Sequence, residues 1–185
     1  VLFVPAMYSA SEDCLERLRA YAEAGGCLIA TFKTGFTDEN VKVWPDVQPH
    51  VLKDCFGIAY HEFTVPADAG LTGDDSDRER QARLFMELLE PEGAEVISSY
   101  DHYAWKKYAA VTRHAYGKGE GIYLGCMTSP EYLKALIASV WKEKGLWGWK
   151  QEYAFPLVIK EGLNEKGAKV TASPAVRKLS STVSR

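Results

Sequence analysis

The sequence predicts an α/β domain built on a parallel sheet, and three observations carry that prediction. Val1-Leu2-Phe3-Val4 and Cys27-Leu28-Ile29-Ala30-Thr31-Phe32 are continuous apolar runs, the pattern of strands buried on both faces. Between them Cys14, Leu15, Leu18, Tyr21 and Ala22 recur at helical spacing. Strand, helix and strand within the first 32 residues define a βαβ unit with a right-handed crossover.

The elements follow in order. The first run opens the sequence with no initiator Met, basic segment or cleavage motif, and reads as a buried strand whose upstream part is missing. Ser9 and Glu12 form a capping box in which hydroxyl and carboxylate each satisfy an orphan backbone amide. Gly25-Gly26 supplies the left-handed stop. Residues 33–47 form a long polar loop in which Phe36 and Trp44 are the large apolar residues. The loop leaves the carboxyl end of a parallel strand, where α/β proteins place function. A short helix over residues 49–55 stops at Gly57, and residues 58–65 read as a strand near an edge.

Residues 66–75 are rich in Gly and Asp and read as a loop. Ser76 and Glu79 repeat the capping box, and Ala82, Phe85, Met86 and Leu89 give a helical stripe ended by Pro91 and Gly93. Residues 94–100 read as a strand. Residues 108–116 and 121–126 form a hairpin around Gly117-Lys118-Gly119. Ser129 caps the next helix and Pro130 occupies its first turn. Leu133, Leu136, Ile137, Val140 and Trp141 make its apolar face, and Gly145 ends it. Residues 155–160 and 169–171 read as strands around a turn at 162–167, and residues 172–185 show no apolar period. Three parts result: an α/β domain over 1–150, the start of a β domain over 151–171, and a disordered or non-native tail over 172–185.

Composition narrows the function. Lys plus Arg is 22 and Asp plus Glu 25, a net charge of −3, which argues against a strongly basic nucleic-acid binder or a polybasic membrane-surface protein. No apolar run approaches the roughly 20 residues of a membrane span. Cys14, Cys27, Cys55 and Cys126 include no C-x-x-C pair. They read as free thiols in a reducing, cytoplasmic compartment, without zinc.

Candidate chemistry is sparse. Cys126 sits between a strand and a helix, where α/β enzymes mount a nucleophile, but Leu124-Gly125-Cys126-Met127-Thr128 lacks the second flanking glycine. Asp74-Asp75-Ser76-Asp77 is half of a calcium loop without its later glycine and glutamate. His61 and His102 are isolated from any metal-binding spacing. Trp141, Trp147, Trp149, Tyr153 and Phe155 form an aromatic cluster that could stack sugars or pack one domain on the next. Neither metal nor cofactor is expected.

Several segments resemble the trimerisation domain of glycoside hydrolase family 42 β-galactosidases. These are Val4-Pro5-Ala6-Met7-Tyr8, Leu18 to Gly26, Thr34-Gly35-Phe36-Thr37-Asp38-Glu39-Asn40, Ala110-Val111-Thr112-Arg113, Tyr116-Gly117-Lys118-Gly119 and Tyr123-Leu124-Gly125. Phe155 to Gly167 resembles the opening of the β domain that follows it. The resemblance implies a flavodoxin-like, class I glutamine amidotransferase-like parallel sheet flanked by helices. It lacks the amidotransferase nucleophile and is truncated before its first strand–helix portion. It also implies self-association into a homotrimer through an interface that closes after three copies. It further implies a terminal β-D-galactoside as the substrate of the whole enzyme, cleaved by two glutamates of a (β/α)₈ barrel outside these residues. No catalytic residue is assigned here, and the chain itself is expected to be inactive. The loop carrying Phe36, Asp38, Glu39, Asn40 and Trp44 is the candidate interface or active-site-entrance loop. Two other readings stay open: a thiol enzyme built on Cys126, and a carbohydrate-binding module built on the tryptophan cluster.

Overall fold

A computed structural model describes residues 1–66, 68–74, 81–152 and 160–172. The chain divides into two units, Val1–Ala135 and Leu136–Arg185.

The first unit is organised by a six-stranded sheet. Strands β1 (Leu2–Val4) and β2 (Cys27–Thr31) flank helix α1 (Glu12–Glu23), and a short helix α2 (Lys53–Phe56) follows. Next come β3 (Ile58–Ala59), β4 (Phe63–Thr64), β5 (Gly70–Leu71), β6 (Arg83–Glu87) and β7 (Glu90–Pro91). The longest strands are β8 (Glu95–Asp101), β9 (Ala109–Tyr116) and β10 (Gly119–Leu124), with β11 (Cys126–Met127) after them. The large sheet runs β1-β2-β10-β9-β8-β5, and β11-β6-β4 and β3-β7 form small companions. β1, β2 and β10 are parallel, whereas β9, β8 and β5 continue the sheet antiparallel. The expected parallel sheet is therefore its first half, and antiparallel strands build the rest.

β2 is buried along its whole length, as a continuous apolar run requires. β1 corrects its expectation: Val1, Leu2 and Phe3 are exposed and only Val4 is buried, because β1 is an edge strand paired with β2 alone among the described residues. The N-cap of α1 is Ser11, whose hydroxyl accepts from the Cys14 amide at 3.3 Å. Ser9 instead contacts the Thr37 hydroxyl and donates to the Asp38 carbonyl, so the proposed Ser9–Glu12 box is not formed. α1 buries Leu15 and Ala22 and packs Cys14, Leu18 and Tyr21 on the core. The β9–β10 turn lies on the C-terminal end of α1, with the Lys118 amide donating to the Glu23 carbonyl at 2.9 Å. A Cβ at Gly117 would stand 2.6 Å from that carbonyl, and its φ is +56°, so both space and backbone require glycine there.

Two further expectations change. The stripe Ala82, Phe85, Met86 and Leu89 is not helical. Residues 83–87 are strand β6, paired with β11 and β4. Ser76 and Glu79, like Asp75 and Asp77, lie outside the described residues. Residues 58–65 hold two two-residue strands in different sheets instead of one. The short helix ending at the left-handed Gly57 and the strand at β8 stand as expected.

In the second unit, helix α3 (Pro130–Glu143), which begins in the first, ends before the left-handed Gly145. At its start the Ser129 hydroxyl accepts from the Tyr132 amide at 3.1 Å. β12 (Lys160–Leu163) and β13 (Lys169–Ala172) pair antiparallel around a turn at Asn164–Gly167. Tyr153, Phe155 and residues 173–185 lie outside the described residues, so most of the strand expected at 155–160 and most of the expected tail do too. Lys142 places its ammonium 4.9 Å from the Trp147 ring centroid.

Candidate functional site

The loop after β2 is pinned along its length. The Gly35 amide donates to the Met7 carbonyl, the Thr37 amide to the Tyr8 carbonyl, and the Ala10 amide to the Thr37 carbonyl, at 2.8–3.0 Å. These bonds continue the parallel pairing of β1 and β2 beyond the strands. Asp38 then folds the tip, its Oδ1 accepting from the Asn40 and Lys42 amides at 2.9 and 2.8 Å. Val41 sits at φ +62° and is 64% exposed. A β-branched residue in the left-handed region is a rare, costly conformation, held here by the Asp38 carboxylate on both sides of it.

The five candidate residues separate. Phe36 and Trp44 are partly buried and pack on the domain's own core. Glu39 and Asn40 project from the tip and are exposed, beside the exposed Val41 and Val43. Asp38 organises the backbone between them.

Phe36 and Trp44 also meet in one cleft of about 340 Å³, completed by Asp46, Gln48, Tyr60, His61 and Phe63. Trp44 stacks on His50, centroids 4.0 Å apart and planes 9° from parallel. The His50 Nδ1 lies 2.7 and 2.9 Å from the two Asp46 oxygens, so carboxylate, imidazole and indole hold one another. The Gln48 carbonyl accepts from the Tyr60 amide at 3.0 Å, which fixes the two sides of the cleft together. The Gln48 side-chain amide and the Trp44 indole N–H are buried with no hydrogen-bond partner among the described residues. An unmet buried polar group costs about 1–3 kcal/mol.

Behind the cleft wall lies a buried polar cluster. The Lys33 ammonium sits between Phe63 and Phe36, 3.1 and 3.7 Å from their centroids. It has no hydrogen-bond partner among the described residues, and Phe36 and Phe63 meet edge to face. Burial pulls its pKa down to about 8 against the opposing pull of Glu87. Glu87 at the end of β6 is wholly buried. Its carboxylate accepts from the Lys33 amide and from the Tyr123 hydroxyl, both at 2.9 Å, and its carbonyl accepts from the Tyr100 hydroxyl at 2.9 Å. Burial pushes the Glu87 carboxyl up to about 7, against these bonds. Glu87 thereby ties β6 and β10 to the first residue of the loop, where Lys33 adopts φ +60°.

The carboxyl ends of β1, β2 and β10 open on a different feature. It is a groove of about 370 Å³ lined by Phe3, Phe32, Leu124, Met127 and Leu133, with Cys126 in its wall. Cys126 is buried, and burial pushes its thiol up to about 12. That opposes the thiolate a nucleophile needs.

Sequence reasoning missed Lys33, Gln48, Tyr60 and Glu87. A signal existed for Glu87, the acid inside the run Leu84-Phe85-Met86-Glu87-Leu88-Leu89, and for Lys33, which directly follows the apolar β2 run. His61 was noted, and the structure gives it a place at the cleft. His102, stacked 4.1 Å from Trp105, lies elsewhere.

The fold and site define a mixed α/β domain with helices on its sheet and a braced loop beside an aromatic cleft. The profile of the β-galactosidase trimerisation domain matches residues 1–147, and the chain belongs to that family. It is 34% identical over 141 residues to β-galactosidase BgaB of Geobacillus sp., covering 76% of this chain and 21% of that protein. It is 30% identical over 168 residues to β-galactosidase BgaA of Clostridium cellulovorans, covering 90% and 26%. The chain thus spans about a quarter of the length of these relatives. Among solved structures it is similar to the β-galactosidase of Bacillus circulans sp. alkalophilus, with a TM-score of 0.74 at 22% identity, covering 86% of this chain and 24% of that one. The cold-adapted β-galactosidase of Rahnella sp. R3 gives 0.75 at 22% identity, covering 86% and 25%. Among the described residues no helix is long and apolar enough to cross a membrane.

Proposed function

We propose that this chain is the non-catalytic assembly domain of a homotrimeric β-galactosidase that hydrolyses terminal β-D-galactosides at a barrel outside these residues. In this reading residues 1–150 are the assembly domain and residues 151–171 open a β domain. The parallel β1–α1–β2 unit with β10 supports a flavodoxin-like, amidotransferase-like core. The high-pKa, buried Cys126 weighs against a thiol enzyme on that core.

The observation that carries the assembly role is the loop tip. Its exposed Val41 and Val43 flank the exposed Glu39 and Asn40, and the backbone beneath them is braced by Asp38 and by the pairing with residues 7–10. A surface already rigid before contact loses little entropy on association, and apolar side chains ringed by polar ones suit an interface. The loop then docks on a neighbouring copy, at or near the mouth of its barrel.

The test is sedimentation velocity on the β-galactosidase polypeptide carrying Val41→Asp with Val43→Asp. The expected result is a shift from trimer towards monomer with the barrel still folded by circular dichroism. An intact trimer with unchanged kcat and KM would remove the tip from the interface.

A further inference from the structure

We infer that the turn between β8 and β9, residues 102–108, is the surface of a second copy of this chain on which the 38–43 loop tip docks. The inference deepens the proposed assembly role and rests on it. A trimer closed by one kind of contact needs two unlike patches on every copy, one meeting the other on the next copy. The tip is one patch, and the fold puts the turn where the other is needed. β10 runs parallel to β2, and β9 and β8 alternate in direction from it, so the turn and the 33–47 loop leave the same end of the sheet. In the order β1-β2-β10-β9-β8-β5 they stand on opposite flanks. β2 and β8 lie three strand spacings apart, about 14 Å.

The turn is built as an anchor. Tyr103 is 88% exposed, the most exposed large apolar side chain among the described residues. The His102 ring packs on Tyr103 and on Trp105, with centroids 4.4 and 4.1 Å apart. The backbone closes on itself: the Trp105 and Lys106 amides donate to the His102 carbonyl at 3.2 and 2.9 Å, and the Tyr108 amide to the Trp105 carbonyl at 2.9 Å. Stiff aromatic side chains give contact area at small entropic cost, and Tyr and Trp are enriched at binding hot spots. Lys106 and Lys107 are exposed beside them and outnumber Asp101 at the end of β8.

The flank that carries the tip is the complement. Val41 and Val43 offer exposed aliphatic surface to the rings. Asp38, Glu39 and Asp46 outnumber Lys42, and Glu12 joins them through His50, 3.8 Å from its carboxylate. Glu39, Lys106 and Lys107 have no ion pair among the described residues. Tip against tip sets acid on acid and turn against turn sets lysine on lysine, whereas tip against turn sets opposite charges together and fixes the register. The docking place is thereby narrowed to the neighbour's assembly domain, beside its barrel mouth.

The experiment measures subunit exchange between donor- and acceptor-labelled trimers of the β-galactosidase polypeptide, with sedimentation velocity alongside. Tyr103→Ala, and independently Lys106→Glu with Lys107→Glu, should each speed exchange about 10-fold or more. Glu39→Lys alone should also speed it. Added to the reversed lysines, Glu39→Lys restores opposite charges across the contact and should bring exchange back to within about 3-fold of wild type. Circular dichroism and thermal melting check that each variant folds, and Lys106→Gln with Lys107→Gln replaces the reversed pair if it does not. Exchange unchanged in both turn variants would overturn the inference, as would no recovery when Glu39→Lys joins the reversed lysines. Should Val41→Asp with Val43→Asp dissociate the trimer while the turn variants exchange as wild type does, the assembly role stands and this pairing falls. A wild-type polypeptide that sediments as a monomer would remove both.

Discussion

Two cavities among the described residues of the first unit are nearly equal in size and differ in chemistry. The groove at the carboxyl ends of β1, β2 and β10 lies where open α/β sheets usually bind ligands, yet apolar side chains dominate it and its one thiol is held protonated. The cleft beside the loop has no such topological claim, yet it gathers Asp46, Gln48, His61 and Trp44, and the buried polar atoms of Gln48 and Trp44 have no partner among the described residues. The difference teaches that strand topology does not by itself decide how polar the lining of a cavity is. The cleft owes its wall to Lys33 and Glu87 beneath it, and breaking that support should distinguish the two cavities most sharply.

The largest expected effect is therefore at Glu87. Glu87→Ala leaves the Lys33 amide and the Tyr123 hydroxyl buried without their acceptor. It should cost about 3 kcal/mol and lower Tm by roughly 6–12 °C. Glu87→Gln, which retains an acceptor, should cost about 1 kcal/mol. Urea and thermal unfolding would measure both. A loss below about 0.5 kcal/mol for the alanine variant would show that the cluster supports nothing. Hydrogen exchange should loosen in residues 33–48 more than along the groove.

A moderate effect is expected from pH. In the folded protein Glu87 holds its proton up to about pH 7, against an ordinary value of 4.5. Folding thus takes up a proton between these values, and stability falls as pH rises from about 4.5 to about 7. Lys33 has the opposite sign. Its folded pKa of about 8 lies below the ordinary 10.5, so the unfolded chain binds more protons between them and stability rises with pH over that window. Unfolding free energies from pH 4 to 11 should show Glu87→Gln flattening the first slope and Lys33→Met the second. Slopes unchanged in these variants would assign the pH dependence to other groups.

The smallest effect concerns the groove. Cys27, Cys55 and Cys126 are buried, and burial pushes the last two thiols up to about 12, whereas Cys14 is partly exposed. A thiol reagent at pH 8 should label Cys14 alone in the native protein and reach the other three only on unfolding. Rapid native labelling of Cys126, located by mass spectrometry, would reopen the groove as a reactive site.

How much of this was legible varies with the range of the interactions. Periodicity and turn residues read β2, the β9–β10 hairpin, α3 with its Ser129 cap and the body of α1 correctly, though the cap of α1 is Ser11 and not Ser9, because a glycine stop, a capping residue or a two-residue turn acts within a few residues. The segment 82–89 misled for a related reason. Ala82, Phe85, Met86 and Leu89 fit a helical face, but Met86, Glu87, Leu88 and Leu89 are buried in succession while Leu84 and Phe85 are exposed. That pattern belongs to a strand whose partners, β4 and β11, lie far along the chain. Of the candidate loop, Phe36 and Trp44 reached the cleft, while Glu39 and Asn40 stayed at the tip.

By itself the sequence determined the α/β class, the βαβ unit, the hairpin and, through its ordered motifs, the resemblance to the trimerisation domain that the family profile confirms. Tertiary structure alone decided that the sheet turns antiparallel after β10, that β1 pairs with β2 alone among the described residues, and that Lys33 and Glu87, 54 positions apart, share one buried cluster. It also decided that polar atoms of Gln48 and Trp44 are buried with no partner among the described residues. The physical reason is range: caps, turns and periodicity are local energies that a short window of residues contains. Which buried polar group finds which partner depends on distant segments arriving at the same place, and that is settled only when the whole core packs.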